Sequence, residues 1–243
     1  MDKSVLVTGG NSEIGQKIVL ELLKNGYYVI FTWYSNLKKL ENLEESISCY
    51  EDKYRHYKCD LRKRNEIDSL FTFIESLKYP HLVGIVNNVG ISGNKCKLSD
   101  MNIQEINEIF EVNVFSLMAV IKKGINSISK KTNGYGGSIV NISSQAAIYG
   151  GKNLTAYASS KGAVNSLSIA LSKELGAHQI RVNVVSPGAI DTSHNRSKIK
   201  SILPQIPLGR MGTTSDVANV VSWLISENSD FINGIIIPVS GGR

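Results

Sequence analysis

Val5-Leu6-Val7-Thr8-Gly9-Gly10-Asn11-Ser12-Glu13-Ile14-Gly15 is the stretch that decides the fold. A short apolar run is closed by glycines. From Ile14 to Lys24, apolar residues then recur at helical spacing through Ile14, Ile18, Val19, Leu22 and Leu23. A strand, a glycine turn and a helix in succession make an anion cradle. Backbone N–H groups at the helix N-terminus face a diphosphate, and glycines allow its close approach. A glycine-rich turn alone is a weak signal, since glycines punctuate many loops. Its position between a first strand and a first helix points to dinucleotide binding, with Gly9, Asn11, Ser12, Ile14 and Gly15 as contacts.

Outward from this stretch, strand-like and helix-like runs alternate to the end of the chain. Tyr28–Trp33 reads as a second strand and Leu37–Ile47 as a second helix. Tyr54–Lys58, Leu82–Val86, Ser138–Ile142, Ile180–Val185 and Ile235–Val239 are further strands, with helical stretches between them. The pattern predicts an α/β protein: a Rossmann-type, doubly wound parallel sheet of about seven strands, helices on both faces and right-handed crossovers. With no linker, repeat or low-complexity tract, residues 1–243 read as one domain.

Two helical stretches, Gln104–Ile128 and Thr155–Ala177, carry apolar or small residues around most of their circumference. A helix with one side in water should show a single stripe. Two-sided apolarity predicts burial against a second subunit.

Composition narrows the function. The chain has 243 residues, of which 42% are hydrophobic and 20% charged, and no apolar run approaches the roughly 18 residues that span a bilayer. The N-terminus enters a strand at once, without a secretory signal, so a soluble cytoplasmic protein with no membrane partner is expected. Three cysteines, Cys49, Cys59 and Cys96, form no disulfide framework and no Cys-x-x-Cys pair. The four histidines show no metal-ligand spacing, so no metal site is expected. The net charge of +6 is scattered over short clusters such as Arg62-Lys63-Arg64 and Lys122-Lys123. That dispersal argues against nucleic acid, although steering of an anionic cofactor or substrate remains open.

NAD-binding folds of this kind place an acidic residue about 20 positions beyond the glycine loop, on the ribose 2′-hydroxyl. Here the sequence offers Thr32-Trp33-Tyr34-Ser35-Asn36, followed by Lys38 and Lys39. No carboxylate stands there to repel a 2′-phosphate, while the hydroxyls of Tyr34 and Ser35 and the two cations can hold one. NADP is expected, with NAD possible. The plainer reading makes the lysines only the exposed start of a helix.

Tyr157-Ala158-Ser159-Ser160-Lys161 places a phenol and an ammonium at i and i+4 on one helical face. A free phenol titrates near 10 and is a poor acid–base group at neutral pH. A neighbouring cation favours the phenolate and is expected to lower that value. The spacing alone is worthless, because Tyr34/Lys38 and Tyr54/Lys58 share it. The Tyr54 pair falls on a predicted strand, which would separate its side chains by roughly 13 Å. Only Tyr157 opens a long helix just after a strand ending in Ser143-Ser144, where Ser144 can polarise a substrate oxygen.

These segments together resemble the short, single-domain branch of the short-chain dehydrogenase/reductases over essentially the whole chain. The matching residues are Thr8–Gly15, Asp60-Leu61, Asn87-Asn88-Val89-Gly90, Asn113, Ser143-Ser144, Tyr157–Lys161, Pro187-Gly188 and Asn233-Gly234…Ser240-Gly241-Gly242. The resemblance implies that Tyr157 is the acid–base residue, and that Lys161 lowers its pKa and binds the nicotinamide ribose. It gives Ser144 the substrate oxygen, and Asn113 a proton-relaying water chain to Lys161. It puts Asp60 and Leu61 beside the adenine and Asn88, Val89 and Gly90 along the cofactor's middle. Pro187, Gly188, Ile190 and Thr192 would flank the nicotinamide, before a substrate lid at about His194–Pro207. It also implies a homotetramer built through the two helices with two apolar sides.

Three positions depart from the family pattern. Glu13 replaces the middle glycine of the loop, where a carboxylate weakens binding if it points inward and is favourable if it points outward at the helix start. Val89 stands where alanine is usual, and Ser240 where aspartate is common.

The leading reading is an oxidoreductase moving a hydride between NADP(H) and a carbonyl or alcohol, on a small-molecule or carrier-bound substrate. Both 3-oxoacyl-carrier-protein reductases and glucose-dehydrogenase-like members are similar. An acidic carrier suits a basic chain, with Lys122, Lys123, Lys130, Lys131 and Lys173 as contacts. A sugar or polyol would need polar groups such as Gln145, Tyr149, Asn153 and His194. A non-catalytic nucleotide sensor on the same fold is the remaining alternative.

Overall fold

The structure, a computed structural model, describes residues 3–77, 81–132, 134–193 and 199–243. Seven strands form one sheet: β1 (Lys3–Val7), β2 (Tyr28–Trp33), β3 (Tyr54–Lys58), β4 (His81–Asn87), β5 (Gly137–Ile142), β6 (Ile180–Pro187) and β7 (Ile236–Val239). Their order is β3-β2-β1-β4-β5-β6-β7, and every pairing is parallel. The expected doubly wound architecture is present.

The helices are α1 (Glu13–Lys24), α2 (Leu37–Ser46), α3 (Arg64–Ser76), α4 (Ile103–Phe110), α5 (Ser116–Ile128), α6 (Ala146–Tyr149), α7 (Thr155–Leu175), α8 (Ile199–Ile202) and α9 (Thr214–Ile225). Alternation along the strands divides the core into two layers. Val5, Val7, Val29 and Phe31 pack with Ile18, Leu22, Leu43, Val217 and Val221 of α1, α2 and α9. Leu6, Ile30, Ile85 and Val182 point the other way, onto Leu70, Phe71, Val120 and Val164 of α3, α5 and α7. Among the described residues no helix is long and apolar enough to cross a membrane.

The strand order reverses between β1 and β4, so the connections that follow them leave to opposite faces of the sheet and open a cleft there. Thr8 ties the two sides together. Its hydroxyl accepts from the Asn88 backbone N–H at 3.0 Å, and the Asn88 amide donates to Thr8 O and Gly9 O, each at 3.0 Å.

One expected element differs. The single helix read over Gln104–Ile128 is broken by a π-turn at Glu111–Phe115 between α4 and α5. The inserted register turns Asn113 fully into the protein. There its amide donates to Ile91 O and Ser160 Oγ, each at 2.9 Å, and accepts from the Ile91 N–H at 2.8 Å. These long-range bonds hold the wider turn, and π-turns concentrate at functional positions. Phe115 at the end of the turn and Met118 on α5 remain exposed, as does Ile169 on α7.

Candidate active site

A cleft of about 670 Å³ runs along the carboxyl ends of the strands. It is lined by Gly9, Asn11, Ser12, Ile14, Tyr34, Ser35, Asp60, Leu61, Asn88, Val89, Gly90, Ser144, Tyr157, Lys161, Pro187, Gly188, Ile190 and Thr192. Two residues expected in the site do not line it. Gly15 lies beneath the loop, where its N–H donates to Ser12 Oγ at 3.1 Å and a Cβ would meet Gly9 O at 2.2 Å. Asn113 is buried behind the cleft. Both shape the site from the second layer.

The glycine loop fits a diphosphate. Ser12 caps α1, Glu13 occupies its first turn, and Gly9 adopts a left-handed φ of +65°. At the next turn, the Asn11 amide donates to Ser35 O at 2.7 Å, fixing the tip of β2 against the loop. Lys39 stands 3.9 Å from Glu13. Glu13 itself lines the cleft. Its carboxylate accepts from the Ser193 backbone N–H and from Ser193 Oγ.

At the adenosine end, Arg62 was missed by sequence reasoning. It sits in a cationic run that reads as a solvated face, although it directly follows Asp60-Leu61. Its guanidinium grips both Asp60 oxygens at 2.9 Å, donates to Tyr34 OH at 3.1 Å and pairs with Glu108 at 3.2 Å. That hydrogen bonding holds the Asp60 carboxyl below its ordinary range. Arg62 thus builds a charged, ring-faced wall beside the two residues expected at the adenine.

At the other end, β5 and the start of α7 bring Ser144, Tyr157 and Lys161 together. Lys161 is 3% exposed, and its ammonium donates to Ile142 O at 2.8 Å. The missing side chain of Gly90 leaves it room, since a Cβ there would lie 3.0 Å from Lys161 Nζ and 3.3 Å from Asn113 Oδ1. Ser160, one residue before Lys161, donates to Tyr157 O at 2.8 Å and accepts from Asn113. The chain from Ile91 through Asn113 to α7 therefore fixes the face that carries both catalytic candidates.

The electrostatics correct one expectation. Burial holds the Tyr157 phenol above its ordinary value, and a hydrogen bond with Ser144 opposes the rise. The Lys161 ammonium is itself destabilised by burial, to about 8. Desolvation decides the direction at the phenol, with the Ser144 hydrogen bond opposing it. The phenol is thereby kept protonated at neutral pH, the form that gives a proton.

The other sequence candidates separate. The Tyr54/Lys58 pair lies on β3, with the Lys58 ammonium 5.4 Å over the Trp33 ring, and neither member lines the cleft. Gln145 commits its amide to Ser186 O and Oγ, at 3.0 and 2.9 Å. Asn153 adopts a left-handed turn conformation and Tyr149 is exposed. Of the expected lid, residues 194–198 lie outside the described ones, His194 among them. The rest forms α8 and a turn at Leu203–Gln205, with Ile206 packed against Ala189 and Met211.

Comparison with known proteins agrees with this arrangement. Residues 9–243 match the family described as enoyl-(acyl carrier protein) reductase. An L-xylulose reductase of Caenorhabditis elegans is 34% identical over 252 residues, covering 99% of this chain and 95% of that protein. A 3-oxoacyl-[acyl-carrier-protein] reductase of Pseudomonas aeruginosa is 31% identical, covering 99% and 96%. Among solved structures, ElxO with NADP bound superimposes with a TM-score of 0.90 at 30% identity, covering 100% of this chain and 98% of that one. The chain belongs to the short-chain dehydrogenase/reductase family and is an oxidoreductase.

Proposed function

We propose that this chain is an NADP(H)-preferring carbonyl reductase, acting on a 3-oxoacyl thioester or a similar ketone, with Tyr157 as its acid–base residue. The observation that carries the reading is the convergence of Tyr157, Ser144 and buried Lys161 at one end of a cleft whose other end is a glycine cradle.

When bound, the nicotinamide supplies or takes up the hydride. The remaining chemistry falls to the protein. Ser144 hydrogen-bonds the substrate oxygen and Tyr157 gives it a proton as carbon is reduced, so ketone becomes alcohol. Lys161 stabilises the phenolate that remains and hydrogen-bonds the nicotinamide ribose. Asn113 holds the Ile91 backbone and Ser160, and supports the route by which Lys161 and Tyr157 are reprotonated. Oxidation of an alcohol runs these steps backwards.

NADP rather than NAD is supported by the Tyr34–Lys39 stretch, which carries no carboxylate, and by the NADP-bound structural neighbour. The 3-oxoacyl reading draws on the Pseudomonas relative and the basic chain. The sugar reading draws on the xylulose reductase, but Gln145, one of its four polar candidates, is engaged with Ser186. We place the protein in the cytoplasm, as a homotetramer. The exposed Phe115, Met118 and Ile169 on the two long helices support the subunit contact.

The test is NADPH oxidation with acetoacetyl thioesters, simple diketones, an enoyl thioester and L-xylulose, repeated with NADH. The reading expects turnover with the 3-oxo compounds and a clear preference for NADPH. Turnover confined to the enoyl thioester would replace carbonyl reduction by double-bond reduction. Turnover confined to the sugar would favour the second reading.

A further inference from the structure

Glu13 is the residue of the glycine loop that dinucleotide binding leaves unexplained. It stands where the cradle would favour a small neutral residue, yet its carboxylate is engaged 180 residues away in the chain. Its two oxygens lie 3.2 and 3.0 Å from the Ser193 backbone nitrogen, and Ser193 Oγ donates to one of them. Lys39 is 3.9 Å from that same oxygen.

Ser193 belongs to a short segment with contacts on both sides of Thr192. Upstream, the Asp191 N–H donates to Gly212 O at 2.7 Å, and Ile190 bridges to Gly212. Downstream, Ser193 is held by Glu13. Thr192, which lines the cleft, sits between the two clamps. The Gly212 clamp joins the segment to the protein on its own side of the cleft. The Glu13 clamp joins it to the opposite wall, the N-terminus of α1.

We propose that Glu13 is a positioning residue for the nicotinamide half of the cleft: through Ser193 it holds Thr192 against the dinucleotide and slows the dinucleotide's departure. The proposal rests on the reading of the cleft as an NADP(H) site. Removing Glu13 has two opposed consequences, which makes the sign of the effect informative. Loss of a negative charge near a diphosphate should tighten binding and slow release. Loss of the clamp should loosen Thr192 and speed release, and a charged acceptor with several donors is strong enough to dominate.

The experiment is stopped-flow displacement of NADPH, read by its fluorescence, for the wild type, Glu13→Ala, Ser193→Ala and the double variant. Thermal midpoints of the nucleotide-free proteins are measured alongside. A clamp predicts release about tenfold faster in Glu13→Ala. It predicts a smaller acceleration in Ser193→Ala, which loses the Oγ donor but keeps the backbone N–H on Glu13. It also predicts a double variant no faster than Glu13→Ala, because the hydroxyl bond is part of the contact that Glu13→Ala removes. The nucleotide-free midpoints should stay at the wild-type value.

Slower or unchanged release in Glu13→Ala, or a double variant clearly faster than Glu13→Ala, would overturn the proposal while leaving the cofactor reading intact. Faster release accompanied by a lowered midpoint would reduce Glu13 to a structural residue and overturn it too. Failure of the wild type to bind NADPH would overturn the cofactor reading, and the clamp with it.

Discussion

Replacing Lys161 by methionine should abolish turnover while changing how stability depends on pH. Burial lowers the ammonium from 10.5 to about 8. In the folded state it therefore releases its proton before it does so in the unfolded chain. Between those two values the unfolded state binds more protons, so stability rises with pH. The gain is complete above the unfolded value and is lost as pH falls through the folded one. From neutral pH to about pH 9.5 the rise amounts to about 2 kcal/mol, approaching about 3 kcal/mol at still higher pH. Lys161→Met lacks this increment. Its unpaired Ile142 carbonyl adds only a pH-independent offset of about 1–3 kcal/mol.

Urea unfolding of both proteins at several pH values measures the difference. Subtracting one curve from the other cancels groups common to both, including Cys59, whose thiol burial pushes up to about 12, and the raised tyrosines. The wild type should gain on the variant by about 2 kcal/mol across the window. A difference that stays flat with pH would refute the claim that this ammonium is desolvated by its surroundings.

Other expectations concern the supports of the site. Gly90→Ala places a methyl against Lys161 Nζ and Asn113 Oδ1. It should lower kcat/KM by about tenfold or more in steady-state assays, with the thermal midpoint nearly unchanged. Arg62→Ala removes the wall beside Asp60 and Tyr34, and should weaken NADPH binding by about tenfold in fluorescence titration while leaving kcat within about twofold. Asp216, held to about 2 by Arg210 and by the cap of α9, contributes stability present above its unfolded value of 3.8. That contribution should fade as pH drops towards 2, and Asp216→Asn should flatten the acid limb of the unfolding curve.

Most of the fold was legible because its signals are local. The central strands are buried apolar runs, and Tyr28–Trp33 and Tyr54–Lys58 begin and end where the sequence predicts. The π-turn was not legible. Apolar residues run on through Glu111–Phe115 without a break in period, and the distortion depends on Asn113 finding Ile91 and Ser160 far along the chain.

Arg62 was hidden for a similar reason, since a cation in a charged run declares its partners only after folding. Lys63 pairs with Glu66 and Arg64 with Glu111, so that run is less a free face than a set of ion pairs. The direction of the Tyr157 shift was misread because spacing reports the neighbouring charge but not the desolvation both groups undergo. Glu13 could be flagged by its misfit, but its partner could not be named.

The central claim is that the phenol of Tyr157 delivers the proton to the carbonyl oxygen, and single-turnover reduction with NADPH prebound tests it most directly. Tyr157→Phe should bind NADPH as the wild type does and reduce a 3-oxo substrate at least about a hundredfold more slowly. A variant that binds the coenzyme normally and reduces the ketone at the wild-type rate would contradict the account.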